Sequence, residues 1–466
     1  MFDATLMLTV LLTAVLVYTV LVSVRYVLYW SASYYFHHKA GKGLRDLPPG
    51  DPSAFTWHFL VPCRDEEVVI AETMDRLRER FPEAHVWVID DDSDDATGEI
   101  VAERADRDAR VHLLTRRRPD ARVGKGAALN AAYRALNAWL PEGTDRTRHI
   151  TCVVDADGDL APGALELLAS PRAFGDPELG AAQVGVRMRN AGDTRPLAGQ
   201  GALANAYAHW LARMQDVEFS AINNGMQLLR ERTRSVGLGG NGQFGRLSAL
   251  DAIAGEDEAP WPPHALLEDY VCGLEMHLAG IKVIHVENTH VSQEGLVTTR
   301  RFLTQRTRWA QGNLQCLRYS YRLARSPRIP FAGHLETMYT FTQPLVAAVL
   351  AIIAAATLAT MAFGPYENPQ LSGYDFGRFT LLGLGILLLS AVPIVLWGLR
   401  YRVGRYPGER WWVGLLWGVG LWIYAYHLIP VSLRALYRIA RGRNGWAKTR
   451  RNAELTAVTA PTARED

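Results

Sequence analysis

Hydrophobic and polar residues follow two different patterns along this chain. Residues 5–24 and three later runs, near 344–363, 379–399 and 411–430, are almost continuously apolar. Residues 52–297 instead alternate short apolar runs with longer stretches in which apolar residues recur at helical spacing. Strands that alternate with helices predict an α/β domain with a largely parallel sheet and helices on both faces. The chain is therefore expected to hold one soluble domain between membrane segments.

The strands and helices of this domain are predicted from its clearest runs. The strands are FTWHFLVPC, AHVWVID, RVHLLT, HITCVVD and GAAQVGV, and the helices are EEVVIAETMDRLRER, TGEIVAERAD and GKGAALNAAYRALNAWL. Ligands of such sheets bind beyond the carboxyl ends of the strands. We therefore expect the functional site where these strands end.

The first apolar run, residues 5–24, carries no charge and is long enough to cross a bilayer as a helix. A cleaved signal peptide is the alternative, because Ser-Ala-Ser at 31–33 resembles a cleavage site. The run lacks a preceding positive charge and exceeds the usual signal-peptide core, which favours a retained anchor over residues 1–30. The later runs predict a second transmembrane region over residues 343–433.

Charges beside the first run predict its orientation. Arg25, Lys39, Lys42 and Arg45 follow the run, whereas only Asp3 precedes it. Because positive flanks remain inside, the soluble domain is expected in the cytoplasm of a multi-pass protein of the cell membrane.

The C-terminal tail conflicts with three full spans. The loop 364–378 suits the outside and the arginine-rich loop 400–410 the inside, so a third span would place residues 434–466 outside. Residues 434–451 nevertheless hold seven basic residues and no acidic one. Either this basic tail departs from the charge rule, or one run lies in the interface or re-enters. The charges favour the second alternative.

Residues 298–342 are predicted to form amphipathic helices at the membrane interface. Residues 300–328 contain eight arginines and no acidic residue, and Phe302, Trp309 and Cys316 lie one heptad apart. This composition is typical of a basic helix that binds the anionic lipids of the cytoplasmic leaflet.

Overall composition gives no support for a nucleic-acid-binding protein, a zinc protein or a disulfide-rich protein. Lysine and arginine total 50 against 48 aspartate and glutamate, so a net charge of +2 gives no indication of a nucleic-acid partner. The four cysteines, Cys63, Cys152, Cys272 and Cys316, form no Cys-x-x-Cys pair. Their spacing argues against a zinc site and a disulfide framework, and predicts buried free thiols.

Two acidic clusters follow predicted strands, in VIDDDSDDAT (88–97) and VVDADGD (153–159). A solvated turn is the alternative for either cluster. An EF-hand is excluded, because Leu160 stands where its loop requires glycine. An Asp-x-Asp at a strand end instead suits Mg²⁺ or Mn²⁺ held by Asp155 and Asp157 and completed by substrate phosphates.

Together, the motifs resemble the inverting family-2 glycosyltransferases, in particular the membrane-embedded synthases of cellulose, chitin, hyaluronan and poly-N-acetylglucosamine. The motifs are VPCRDEE (61–67), DDDSDDAT (90–97), GKGAALN (124–130), DAD (155–157), GNGQFGR (240–246), LEDYVCGLEMHLAG (267–280) and QRTRWAQG (305–312). The resemblance covers about residues 55–320. It implies a GT-A, Rossmann-like cytosolic domain flanked by transmembrane helices, and a nucleotide-sugar donor, expected to be a UDP-sugar. Two positions depart from the family pattern, since Asp65 replaces the more usual asparagine and Leu267 replaces threonine.

The resemblance also implies roles for individual residues. Donor binding is implied for Pro62, Arg64, Glu66, Asp91, Lys125, Asp155, Gln305, Arg308 and Trp309. Contact with the acceptor is implied for Gly240, Asn241, Gly242, Phe244 and Trp309. Asp155 and Asp157 would hold the metal, and Asp269, with Glu268 beside it, would be the catalytic base.

Residue chemistry gives some independent support for these roles. Asp269 begins a helical run that Gly280 ends, although a carboxylate there can also serve only as a cap. Spacings of three and four place Gln305, Arg308 and Trp309 on one helix face. A guanidinium can contact a phosphate and an indole can stack on a sugar, but a plain amphipathic helix is the alternative.

The favoured function is transfer of sugar from a nucleotide sugar to a growing β-linked polysaccharide, because the Gln-x-x-Arg-Trp motif is complete. Transfer of a single sugar to a lipid acceptor is the alternative within this enzyme class. A nucleotide-binding transporter or scaffold is less favoured, because the apolar runs contain few charges.

Overall fold

A computed structural model describes residues 4–40, 47–363 and 373–443 of the chain. Its centre is one eight-stranded sheet. The strands are β1 (Thr56–Cys63), β2 (His85–Asp91), β3 (Val111–Arg116), β4 (His149–Val153), β5 (Asp159–Leu160), β6 (Leu179–Met188), β7 (Gln243–Arg246) and β8 (Lys282–Gln293). Their order across the sheet is β3-β2-β1-β4-β7-β6-β8-β5.

The sheet is mixed but mostly parallel, as the sequence predicts. Strands β1 to β4 pair in parallel, with β1 between β2 and β4, and β6 is parallel to β8. Strand β7 runs antiparallel between β4 and β6, and β5 is antiparallel to β8. The sequence does not predict β7, because its residues, Gln-Phe-Gly-Arg, contain no apolar run. The five predicted strands correspond to β1, β2, β3, β4 and β6.

Helices surround this sheet and continue beyond it. In chain order they are α1 (Ala4–Ala40), α2 (Ile70–Arg80), α3 (Thr97–Ala105), α4 (Lys125–Trp139), α5 (Ala164–Leu168), α6 (Ala202–Val217), α7 (Asn224–Arg230), α8 (Leu247–Ala254), α9 (Glu268–Ala279), α10 (Thr299–Gln315), α11 (Ser320–Ala324), α12 (Phe331–Phe363), α13 (Gly373–Arg405), α14 (Trp411–Ala425) and α15 (Leu428–Ala440). A π-helical segment, Glu218–Asn223, joins α6 to α7. The three predicted helices correspond to α2, α3 and α4.

Two apolar layers enclose the sheet, and β1 contributes to both. Phe59 and Val61 pack in one layer, while Leu60 between them packs in the other. All three side chains are fully buried. Successive strand residues point to opposite faces, so a strand covered on both sides is apolar at nearly every position.

Within the described ranges, four helical segments are long and apolar enough to cross a membrane, by length and composition. They are Thr13–Ser33, Phe331–Ile353, Gly383–Arg405 and Trp411–Ala440. The second begins at Phe331, so the predicted boundary at residue 342 falls inside α12.

The fourth segment is interrupted and stays close to the catalytic domain. Helix α14 has 15 residues, about 22 Å, which is short of a hydrocarbon core of about 30 Å. A Cβ built on its Gly420 would lie 3.0 Å from Met214 of α6. After the break, Arg438 of α15 donates to Gln311 of α10, and Gln311 donates to the Arg443 carbonyl. This arrangement fits the alternative in which one apolar run lies at the interface.

Residues 400–405 at the end of α13 also contact the catalytic domain. Arg400 lies 3.6 Å from the Glu287 carboxylate, and the Tyr401 hydroxyl donates to Asp216 at 2.5 Å. Loop 400–410 and residue 443 therefore lie on the domain side. Two parts of the predicted topology lie outside the described residues. They are residues 364–372 of the predicted outer loop 364–378, and the tail from residue 444.

The sequence predicts that α10 lies on the surface, but several of its side chains are buried in the structure. Phe302 and Cys316 are buried, and Arg306 is only 6% exposed because it pairs with Glu218. A charged partner so distant in sequence cannot be recognised from the arginine-rich pattern. Arg300 at the start of α10 is exposed, and the other exposed arginines of this segment follow the helix, at Arg318, Arg322, Arg325 and Arg328.

All four cysteines are buried and free, as predicted. None of them therefore competes strongly for a thiol reagent in the folded protein.

We predict that the exposed residues Asp51, Glu409 and Arg441 all lie in the cytoplasm. Each position, changed singly to cysteine, should resist an impermeant maleimide in intact cells and react after permeabilisation. The buried native thiols allow this test in the unchanged background. Glu367→Cys, in the predicted outer loop, is the control that should react in intact cells. Labelling of Arg441→Cys at the level of this control would place the tail outside.

Candidate functional site

A cavity of about 570 Å³ begins at the carboxyl ends of β1, β2 and β4 and extends among α12 to α15. Most of the residues singled out in the sequence line it. They are Pro62, Arg64, Glu66, Asp91, Lys125, Asp155, Gly240, Asn241, Glu268, Asp269, Gln305, Arg308 and Trp309. Motifs spread over about 250 residues of sequence therefore meet in one place.

Asp91 lies at the deep polar end of the cavity, where β2 ends. Its carboxylate accepts hydrogen bonds from the Arg116 guanidinium and, at 3.1 Å, from the backbone N–H of Arg122. Burial raises the pKa of Asp91, although both partners favour its ionised form. The carboxylate is thus held in a fixed orientation at this end.

Lys125 links two of the motifs. Its ammonium lies 2.6 Å from the Asp155 carboxylate and also donates to the Gly240 carbonyl. Burial acts against the charge, but Asp155 and the neighbouring acidic residues raise the pKa of Lys125 above its ordinary value. Asn241 supports this arrangement, because its side-chain oxygen accepts from the backbone N–H of Asp155 at 3.2 Å.

Asp157, the second predicted metal ligand, is 2% exposed and does not line the cavity. Its carboxylate accepts from the backbone N–H of Glu294 at 3.1 Å, which fixes its orientation. In the part of the chain that the structure describes, no three His, Cys, Asp or Glu side chains are grouped to hold a metal ion. Two hard carboxylates, Asp155 and Asp157, fit Mg²⁺ or Mn²⁺ only when phosphate oxygens complete the coordination.

Glu268 and Asp269 form the first turn of α9, as the sequence predicts, and Gly280 ends this helix with a φ of 82°. The partial positive charge of a helix N-terminus stabilises carboxylates there. Burial raises the pKa of both side chains, and the charge of Asp269 raises that of Glu268 further. Lys125 and Arg308 oppose these increases. The result is a more basic carboxylate pair beside two cations.

The Asp269 side chain lies close to the predicted acceptor loop. One oxygen accepts from the backbone N–H of Tyr270 at 2.7 Å. A Cβ built on Gly240 would lie 3.2 Å from the other oxygen. Because Gly240 has no side chain, the loop approaches the carboxylate without filling the space beside it.

Gln305, Arg308 and Trp309 face the cavity from α10, which agrees with their helical spacing. The Trp309 ring also packs against the guanidinium of Arg306, 4.4 Å from its centroid. An ordinary amphipathic helix, the alternative given above, would expose its polar residues to solvent. In α10, Gln305 and Arg308 line a cavity instead.

Two residues assigned to the acceptor lie elsewhere. Phe244 is fully buried in the same apolar layer as Phe59, and its ring centroid lies 6.2 Å from that of Trp57. Gly242 has a φ of +73°, and a Cβ there would lie 2.6 Å from Val184. Neither residue lines the cavity, because the chain enters β7 at this point.

Sequence analysis missed the residues that line the rest of the cavity. Glu218 and Tyr424 have no recognisable motif around them, and Tyr424 lies in a run that predicts only a membrane span. The far end is formed by helices α12 to α15 and mixes apolar with polar residues. The apolar ones include Pro344, Ile394, Leu421, Leu428 and Val431, and the polar ones include Tyr339, Thr340, Gln343, His427 and Ser432. The cavity thus runs from a charged end to apolar side chains among the candidate membrane helices.

Comparisons with known proteins agree with this geometry. Residues 56–312 match the family described as "Glycosyltransferase like family 2". The beta-monoglucosyldiacylglycerol synthase of Trichormus variabilis is 31% identical over 263 residues, which are 55% of this chain and 48% of that protein. The chain therefore spans about half the length of this relative. The protein of the same name from Synechocystis is 27% identical over 425 residues, or 87% of this chain and 78% of that one.

A solved structure shows the same fold. The mannosyltransferase from Pyrobaculum calidifontis, in complex with GDP-Man and Mn²⁺, has a TM-score of 0.51 at 18% identity over 90% of this chain and 98% of that one. The mixed sheet described above is that of a GT-A glycosyltransferase. On the matched residues, the fold and the cavity, this chain belongs to glycosyltransferase family 2.

Proposed function

We propose that this protein transfers one sugar from a UDP-sugar to the hydroxyl group of a membrane lipid. The observation that carries this proposal is the continuity of the cavity from Asp91 and Asp155 to the apolar residues of α12 to α15. A lipid can reach the carboxylates through such an apolar end with its acyl chains still in a low-dielectric environment. The names of the two relatives support a lipid acceptor.

This proposal replaces the polysaccharide synthesis favoured by the sequence. That preference depended on the complete Gln-x-x-Arg-Trp motif, which lines the cavity but does not distinguish the acceptors. The relatives instead favour the alternative, transfer of a single sugar to a lipid.

Asp269 is proposed to accept the proton of the lipid hydroxyl. As the proton leaves, the hydroxyl oxygen forms a bond to the anomeric carbon, and the bond from that carbon to the diphosphate breaks. A carboxylate whose pKa is raised by burial is better matched to this proton transfer at neutral pH. Lys125 and Arg308 supply positive charge close to the developing diphosphate.

Asp155 and Asp157 are proposed to hold Mg²⁺ or Mn²⁺ together with the donor phosphates. When bound, the ion would supply charge that stabilises the diphosphate as a leaving group. Lys125 already provides a cation 2.6 Å from Asp155, which indicates that this carboxylate is placed to bind positive charge. Asp91 is proposed to contact the uracil ring.

Replacing the base should separate chemistry from donor binding. Asp269→Asn keeps the size of the side chain and its ability to cap α9, so the fold should persist. The variant should lose about 10²–10⁴-fold in the rate of sugar transfer, as expected for the loss of a general base. It should still bind UDP with near wild-type affinity in isothermal titration calorimetry.

Asp157→Asn is the matched control, because it makes the same chemical change outside the proposed base. It should weaken Mn²⁺-dependent UDP binding as well as turnover. If Asp269→Asn retained more than about a tenth of the wild-type rate, its carboxylate would be only a helix cap.

The chemical nature of the product tests the choice of acceptor. Protein reconstituted in vesicles that contain diacylglycerol should transfer radiolabelled sugar from UDP-glucose, or from another UDP-hexose, into the organic phase. Mass spectrometry should then find one sugar on each lipid. Label that stays in a high-molecular-weight aqueous fraction would instead support the polymer alternative.

A further inference from the structure

Four histidines form a row across the sheet near the amino ends of its parallel strands, away from the cavity. We call His58 of β1, His85 of β2, His112 of β3 and His149 of β4 the histidine row. Their rings stack on one another. His58 lies between His149 and His85, with ring centroids at 5.3 and 5.4 Å, and His112 follows His85 at 5.3 Å. The row thus joins four strands, three of which end at the cavity.

Hydrogen bonds fix the proton positions in one half of the row. The indole Nε1 of Trp87 lies 3.3 Å from Nδ1 of His58. Because an indole N–H can only donate, His58 accepts on Nδ1 and carries its own proton on Nε2. This Nε2–H then donates to Nδ1 of His149 at 3.0 Å. Both nitrogens of His58 are therefore occupied, and its ring is uncharged.

An additional proton on any member would break these bonds. At Nδ1 of His58 it would meet the Trp87 N–H, and at Nδ1 of His149 it would meet the Nε2–H of His58. The other pair is joined in the same way, since Nδ1 of His85 lies 3.0 Å from Nε2 of His112 and only one of these nitrogens can carry a proton. The row is thus intact only while its rings are uncharged.

Burial also opposes a positive charge on the row. His58 is fully buried, and the other three members are half-buried. The Trp139 ring of α4 covers His58, His85 and His112, with centroids at 6.0, 4.7 and 5.7 Å. Burial lowers the pKa of every member, that of His85 to about 4.

Three arginines beside the row act in the same direction. Arg78 and Arg110 lower the pKa of His85, and Arg146 lowers that of His149. Each guanidinium forms an ion pair with a carboxylate, at 2.5 to 2.6 Å. These ion pairs hold the arginines beside the row.

Two carboxylates favour charged rings, but neither is bonded to one. Asp108 raises the pKa of His112 and Asp145 raises that of His149, in both cases less than burial lowers it. Asp108 pairs with an arginine, and Asp145 accepts from the backbone N–H of Thr147 at 3.0 Å. In the described part of the chain, no carboxylate accepts a hydrogen bond from the row. A proton taken up by the row would therefore remain uncompensated there.

We propose that the histidine row is an acid-sensitive switch of the catalytic domain. A proton taken up by a half-buried member breaks the bonds between the rings and loosens the amino half of β1 to β4. Strand β4 is the shortest of these strands; it begins at His149, and Asp155 follows its end. Loosening of the row therefore displaces Asp155 and releases UDP, so that donor binding requires a neutral pH.

The direction of the pH effect follows from the uncharged folded state. A histidine of the opened chain titrates with a pKa of about 6.5. Below that pH the opened chain binds more protons than the folded one, so acid favours opening. Above it the rings are uncharged in both states, and the row has no effect on stability. Opening should therefore increase from about pH 6.5 downwards, towards the lowered pKa values of the row.

Hydrogen exchange of the full-length protein in detergent micelles measures this opening. For peptides that contain β1 and β4, the opening constant, corrected for the intrinsic exchange rate, should rise between about pH 8 and about pH 5. One histidine that stays uncharged in the folded state accounts for a rise of up to about 30-fold. His149→Asn places an amide oxygen where Nδ1 accepts its hydrogen bond but cannot be protonated, so it should lose up to this factor.

Two further variants complete the test. His112→Gln makes a corresponding change in the other pair and should also reduce the rise. His264→Asn, at an exposed histidine outside the row, is the matched control and should behave as the wild type. UDP binding at about pH 8 verifies that each variant is folded. In acid, the wild type should lose UDP reversibly, and His149→Asn and His112→Gln should retain it to a lower pH.

The outcomes distinguish the switch from the proposed function. An equal rise in the wild type, His149→Asn and His112→Gln would overturn the switch, as would undiminished UDP binding by the wild type at about pH 5. Failure to bind UDP at any pH would overturn the proposed function instead, and hydrogen exchange would still decide whether the row opens in acid.

Discussion

The burial of two adjacent carboxylates, Glu268 and Asp269, is the constraint on which the site depends. Like charges at such a distance destabilise each other, and removal from water adds to the cost. The N-terminus of α9, Lys125 from α4 and Arg308 from α10 offset this cost. Each of these elements is therefore needed where it is, and together they define the charged end of the cavity.

The same constraint accounts for the position of α10. Arg308 must face the carboxylates, and the helical spacing then directs Trp309 and Gln305 into the cavity as well. Arg306 of the same helix donates hydrogen bonds to Glu218 and to the Tyr424 hydroxyl. These bonds connect the catalytic domain to α14. The helix that carries Arg308 thus also connects the domain to the candidate membrane helices.

This connection gives the cavity its two ends. Polar and charged groups dominate at the carboxyl ends of β1, β2 and β4, where a nucleotide diphosphate requires them. Residues of α12 to α15, about half of them apolar, form the other end. Under the proposed function, a donor from the cytosol and an acceptor from the bilayer would approach Asp269 from these two ends.

Sequence predicted those parts of this arrangement that depend on local patterns. Strands β1, β2 and β4 have apolar runs that are buried on both faces, and α9 has acidic residues at its start and a glycine at its end. Strand β7 has neither signal, so Phe244 was placed beside the acceptor although its side chain belongs to the core. The motif locates Phe244 in the chain but does not show which way its side chain faces. The pairing of β7 with β4 determines that Phe244 faces the core.

Contacts between distant residues could not be predicted from one sequence. Glu218, Arg306 and Tyr424 are separated by about 90 to 120 residues along the chain, and no local pattern links them. The break between α14 and α15 has a similar origin. Residues 411–430 have the composition of a span, but Tyr424 is held at the domain by Glu218.

Photo-crosslinking with a diacylglycerol that carries a diazirine in its acyl chain tests most directly whether the acceptor enters through the apolar end. With the labelled side chains identified residue by residue, we expect label on the cavity residues Leu421, Leu428 and Val431, and loss of this label with excess unlabelled diacylglycerol. The exposed residues Leu416 and Ile423 of α14 provide the comparison, since ordinary lipids can reach them. Label confined to Leu416 and Ile423, and unaffected by the competitor, would contradict the account.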